Sequence, residues 1–126
     1  MTPSIRCSLA VLLLALGSTA HAACAYPQAP QDIPNGATAN KDQMMAAQAK
    51  VKEYANSVQN VYLPCLEKEK NDAVALLDPS DPEFPQKKLA LESIQAKKHN
   101  AALDELTALA SRWSEEIKAF NNASKK

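Results

Sequence analysis

Few residues in this chain are able to do chemistry. They are three cysteines, two histidines, three methionines and some adjacent carboxylates. Cys7 falls in an amino-terminal leader, which leaves Cys24 and Cys65. These two lie 41 residues apart, too far for a CxxC redox pair. An even cysteine count in an exported chain points instead to one disulfide. His99 sits in Lys97-Lys98-His99-Asn100, the setting of a solvated surface histidine, with no carboxylate or second histidine at zinc-helix spacing. Met44-Met45 has the softness to grip copper(I) or an apolar ligand, but filling a core is its simpler role. Asp104-Glu105 and Glu115-Glu116 read as helix-surface carboxylates. Beyond the leader Gly36 is the sole glycine, so no glycine loop can cradle a phosphate. No nucleophile, base and orienting group converge. The expectation is a protein that is not an enzyme, with no catalytic, metal-binding or cofactor-binding set.

The leader is Met1–Ala22. Arg6 supplies its positive end, Leu9–Leu16 its apolar run, and Ala20-His21-Ala22 a small-x-small cleavage site. The apolar run is much shorter than the roughly 20 residues that span a bilayer, and no later stretch is longer. The mature chain is therefore expected to be exported, with no transmembrane segment. An alternative touches the same cysteine. His21-Ala22-Ala23-Cys24 has the small-small-Cys ending of a lipoprotein signal, which would make Cys24 an acylated anchor. Against it, His21 stands where such signals carry an aliphatic residue, and the apolar run ends well short of Cys24.

Without Arg6, 13 basic residues face 14 acidic ones, a formal charge of −1. There is no basic excess to hold phosphate backbones, so a nucleic-acid partner is not expected.

Residues 23–39 contain three prolines and Gly36 after Cys24. This composition excludes a helix and favours an extended tail. Asn35-Gly36 marks a turn, and Tyr26 and Ile33 are the large apolar groups able to pin the tail down. Closing the Cys24–Cys65 loop is worth about 4 kcal/mol by chain entropy. The lengths agree. Cys65 is about 37 Å along a helix that starts at Asn40. The chain from Cys24 to Asn40 reaches at most about 53 Å. The tail can run back along the helix from Cys65 to its start.

The elements that hold these residues follow from periodicity. Asn40 with Gln43 makes a capping box, and Asp42 suits the first turn. Ala47, Val51, Tyr54, Val58, Val61 and Cys65 then recur at helical spacing, predicting a helix over 40–77 that Pro64 kinks at its preceding turn. Asp78-Pro79-Ser80-Asp81-Pro82-Glu83-Phe84-Pro85 breaks the chain, predicting a turn over 78–85. Asp81 could cap the next helix, or it could start nearer Phe84, with Phe84 plugging the open end. A second helix is predicted over 86–120, and 121–126 as a frayed end. Leu103, Leu106, Ala110, Trp113, Ile117 and Phe120 form a heptad seam on it, and Arg112 can pair with Glu116. The fold class is therefore all-α: a long antiparallel helical hairpin, with a coiled-coil seam and a proline-rich amino-terminal tail stapled by one disulfide.

Two helices with one apolar stripe each leave part of both stripes wet, so either the tail or a second copy covers the rest. The residues expected to form an interaction face are Val51, Tyr54, Val58, Tyr62, Leu106, Trp113 and Ile117.

Asp32-Ile33-Pro34-Asn35-Gly36-Ala37-Thr38-Ala39 precedes Met44-x-x-Ala47-x-x-x-Val51-x-x-Tyr54 and Tyr62-x-x-Cys65-Leu66. With a cysteine upstream, that order resembles a group of small uncharacterised periplasmic proteins of Gram-negative bacteria, over roughly residues 24–66. The resemblance implies export and a helical fold and brings no activity with it. The helical periplasmic stress chaperones of the Spy type share only the shape. Their repeated Leu-Thr-x-x-Gln is missing, since Leu106-Thr107 runs on into Ala108-Leu109-Ala110. Taken together, the residues lead to the expectation of a non-enzymatic exported binding or interaction protein, whose partner is a protein, an apolar ligand or a second copy. The rival expectation is an envelope-anchored structural lipoprotein acylated at Cys24.

Overall fold

The computed structural model describes residues 23–125, so the expected leader at 1–22 lies outside the described residues. Those residues are helical apart from the tail and one connecting loop, with no strand among them. The first arm is α1 (Lys41–Ser57), a π-helical turn (Val58–Tyr62) and α2 (Leu63–Ala75). The second arm is the single helix α3 (Phe84–Ala123), of 40 residues.

Local chemistry accounts for the boundaries. Asn40 Oδ1 accepts from Gln43 N at 2.9 Å, and Gln43 Oε1 accepts from Asn40 N at 2.9 Å, so the capping box is closed. Pro64 has no N–H to give to the Asn60 carbonyl, and its ring crowds that carbonyl. The first arm widens into its π-helical turn just before this proline, where a kink was expected. The loop after α2 is tied by its own side chains. Asp78 Oδ1 accepts from Ser80 N at 2.8 Å, and Asp81 Oδ1 accepts from Glu83 N at 2.8 Å. Lys87 reaches back to Asp81 at 2.6 Å. Pro85, not Pro82, falls in the first turn of α3. Helix α3 begins two residues before the expected 86 and continues through Asn121–Ala123, residues expected to fray.

Both α1 and α2 pack on α3. Lys98 of α3 meets Glu69 of α2 at 3.0 Å. The core joins Ile33 of the tail, Tyr54, Val58, Tyr62 and Leu66 of the first arm, and Ala102 and Leu109 of α3. Val58 and Ala102 are wholly buried. Between Leu66 and Ala102 no residue is fully buried, so the core lies in the half of the molecule that the tail covers.

The α3 seam differs from the heptad reading. Ala102 and Leu109 are buried, while Leu103, one position on, is 37 % exposed and Ala110 is also exposed. Leu106, Trp113 and Phe120 are half-buried at the edge of the contact. Hydrophobicity ranks Leu103 above Ala102. A methyl group, however, lets α3 approach its neighbours more closely than a leucine would, and close packing decides the face.

Contacts along its whole length order the tail. Cys24 is disulfide-bonded to Cys65. Tyr26 meets Tyr62 edge-on, with ring centroids 5.0 Å apart. Ile33 is buried in the core. Asp32 forms an ion pair with Lys50. Gly36 N donates to Glu116 Oε2 at 2.6 Å. Gly36 is required for space rather than for backbone angle. A Cβ there would lie 1.9 Å from the Glu116 carbonyl oxygen, and no described glycine has positive φ. Gly36→Ala should therefore lift the turn off α3 and destabilise the fold by about 1–3 kcal/mol, as overpacking does. A thermal melt followed by circular dichroism reads this directly, and an unchanged midpoint would show that the turn is not seated on α3.

Candidate interaction surface

The residues expected to meet a partner fall into two groups. On the first arm Tyr54 is 3 %, Val58 0 % and Tyr62 6 % exposed, and Val51 is half-buried. These four are not a free face. The tail and α3 cover them, whereas Val61, expected in the same stripe, is 66 % exposed because it lies on the outer side of the π-helical turn. On α3, Leu106 and Trp113 are half-buried against the core, and Ile117 is 36 % exposed.

Sequence reasoning missed the polar groups that seat the tail. The Tyr26 hydroxyl donates to the Glu105 carboxylate and lies 3.4 Å from the Tyr54 hydroxyl. Glu116 accepts from Gly36 and does not form the ion pair expected with Arg112. Glu105 and Glu116 are half-buried, although acidic pairs on a helix read as solvated. Their spacing of 11 residues, three helical turns, places them on one line of α3. That spacing is a weak signal without knowledge that a tail crosses the helix. Burial of the phenol, reinforced by its hydrogen bond to Glu105, pushes the Tyr26 pKa well above its ordinary value. Burial also raises that of Tyr54. The Lys50 ammonium beside Asp32 lowers the pKa of that carboxyl.

Other candidate groups scatter. Met44 is 7 % exposed and Met45 57 %, so the pair is split between core and solvent and does not form one soft-donor site. His99 is exposed at the rim of a shallow depression of about 330 Å³ between α2 and α3, with Leu63, Leu66, Glu67, Lys70 and Gln95. Its charges already answer one another, Lys70 lying 2.7 Å from Glu67.

Apolar side chains stay exposed at Val61, Leu76, Leu89 and Ile94, and along the flank of α3 turned away from Glu105 and Glu116. Leu103, Ala110 and Ile117 recur there every seven residues, all exposed. Beside them Ala110, Ser111 and Ser114 leave a shallow groove bordered by Leu106, Thr107, Glu115 and Lys118. Among the described residues no helix is long and apolar enough to cross a membrane. Comparison with known proteins finds no matching family model, no matching curated protein and no matching solved structure.

The raised Tyr26 pKa has a consequence at high pH. The folded chain keeps this proton more tightly than the unfolded chain does. The resulting stability is fully present below about pH 10 and falls as pH rises further. Tyr26→Phe should flatten that alkaline loss, measured as melting temperature against pH. Parallel loss in the parent and the variant would show that the Tyr26 hydroxyl is not held by Glu105.

Proposed function

We propose that this chain is a non-enzymatic, exported helical interaction protein, built as a disulfide-strapped antiparallel hairpin that presents the outer flank of α3 to a partner. The carrying observation is that Tyr54, Val58 and Tyr62 of the first arm are buried, whereas Leu89 (66 %), Leu103 (37 %) and Ile117 (36 %) stay exposed at heptad spacing on α3, beside the half-buried Leu106 and Trp113. An interaction face combines an exposed apolar centre with a polar rim, and here Thr107, Ser111, Ser114 and Lys118 supply the rim. The reading of export rests on the leader pattern of residues 1–22 and on the use of Cys24 and Cys65 for a bond that persists in oxidising compartments, and that of a Gram-negative periplasm on the resemblance over residues 24–66.

Acylation at Cys24 would need the sulfur that the disulfide uses, so the lipoprotein reading and this one exclude each other. Intact mass of the exported protein separates them. The strapped form is two hydrogens lighter than the reduced chain beginning at Ala23 and takes up no alkylating agent. A mass raised by a diacylglycerol and a fatty acyl chain, with one reactive thiol, overturns the strapped reading.

The face itself is tested by placing a photo-crosslinking side chain at Leu103 or Ile117 in the exported protein. Adducts should form from these positions and not from the exposed Gln59 on the first arm. No adduct of any kind from the α3 positions would end the proposal.

A further inference from the structure

We infer that Asn35-Gly36 is a self-modification site: once the tail lifts from α3, the Gly36 nitrogen attacks the Asn35 side-chain amide, and the isoaspartyl product keeps the tail from seating again. The inference is independent of the outer flank of α3 and of any partner.

The chemistry needs only the chain and water. The Gly36 main-chain nitrogen loses its proton to solvent base and bonds to Asn35 Cγ. The Cγ–Nδ2 bond breaks, and the side-chain nitrogen takes up a proton and leaves as ammonia. Water then opens the resulting succinimide ring at either of its carbonyls. One opening gives an aspartate at position 35. The other gives an isoaspartyl link, which carries one extra methylene in the main chain. Asn35 is the one asparagine of the chain followed by glycine, so here alone no Cβ shields the attacking nitrogen. Asn35 is exposed, which gives water a way in and ammonia a way out.

In the seated tail both reacting groups are held elsewhere. Gly36 N directs its proton at Glu116 Oε2, 2.6 Å away. Asn35 Oδ1 accepts from Ala37 N at 2.9 Å, which fixes the side chain. The Asn35 carbonyl oxygen accepts from Thr38 N at 3.1 Å and from Ala39 N at 2.9 Å, which fixes the main chain. Attack needs nitrogen and Cγ aligned, and these bonds hold them out of line. The Glu116 carboxylate also opposes the negative charge that the nitrogen takes on when it loses its proton. Glu116 is therefore the gate, and only chains whose tail has lifted locally react.

The gate does not close again on the product. A Cβ on Gly36 would lie 1.9 Å from the Glu116 carbonyl oxygen, so the turn has no spare room against α3. An isoaspartyl link adds a methylene to the main chain there. It also interchanges the two carbonyl groups that accept from Ala37, Thr38 and Ala39. The missing Cβ of Gly36 thus serves both states. It permits the close seat on α3, and it leaves the nitrogen open to react when that seat is lost.

The test is a time course of amide loss at Asn35, in mildly alkaline buffer, on the chain from Ala23 with Cys24–Cys65 intact. Peptide mass mapping reads the amide-to-acid shift, and fragmentation tells isoaspartyl from aspartyl. The folded chain should react at least about tenfold more slowly than the same chain unfolded in guanidinium chloride. Glu116→Ala should raise the folded rate by about threefold to tenfold, and Glu116→Gln, which keeps an acceptor, by less. Arg112→Ala, one turn earlier and exposed, should leave it unchanged. Circular dichroism checks that each variant is folded, and the comparison of folded with unfolded parent stands without them. The isoaspartyl chain, separated from the parent by its added negative charge, should melt at a lower temperature. Equal rates in the folded and unfolded parent overturn the inference. A folded rate above the unfolded one also overturns it, because Glu116 would then be acting as the base. A Glu116→Ala rate equal to that of Arg112→Ala removes Glu116 as the gate. An isoaspartyl chain that melts with the parent overturns the block on reseating.

Discussion

Two helices in contact each bury one stripe and leave the borders of that stripe wet. In this chain a third surface closes the gap. The tail from Cys24 to Ala39 crosses both arms, bonded to Cys65 at one end and seated on Glu116 through Gly36 near the other. Ile33 of the tail enters the same buried cluster as Tyr54, Val58, Tyr62 and Leu66. A domain of about 100 residues with so little depth has few other sources of stability. The disulfide limits how far the unfolded tail can stray, and the contacts at Tyr26, Asp32, Ile33 and Gly36 give the strap a single register.

The strap also changes what the molecule can offer to others. On the first arm the strap helps to bury Tyr54, Val58 and Tyr62, while Val61 stays in solvent. Helix α3 then serves two neighbours. One side holds Ala102 and Leu109 in the core, with Glu105 and Glu116 reaching the tail. The adjoining flank keeps Leu103, Ala110 and Ile117 in solvent. A helix of 40 residues without proline or glycine after Pro85 runs unbroken and so carries two faces along its length.

Much of the local structure was legible in the residues. The capping box at Asn40, the break across Asp78–Pro85 and the disturbance before Pro64 are short-range effects of hydrogen bonding and ring sterics, and each is found where its chemistry requires. The pairing of Cys24 with Cys65 followed from there being only two candidates. The face of α3 was less legible. Leu103 and Ala102 are neighbours, and a hydrophobic pattern prefers the larger, although close approach of backbones prefers the smaller. Half-buried Glu105 and Glu116 read as solvent-facing carboxylates, because nothing near them in the chain announces a tyrosine hydroxyl and a glycine N–H from some 80 residues away.

By itself, then, the sequence determined the helical arms, the break between them, the covalent pairing and the poverty of catalytic groups. Each is a matter of residue type and short spacing, where backbone hydrogen bonds and steric limits act within one or two turns. Only the tertiary structure decided which stripe is closed and which is left open. That choice depends on the tail competing with any partner for the surface of Tyr54, Val58 and Tyr62. The tail prevails because it is tethered to the surface it covers, so its contacts form without the translational entropy that a separate molecule would lose.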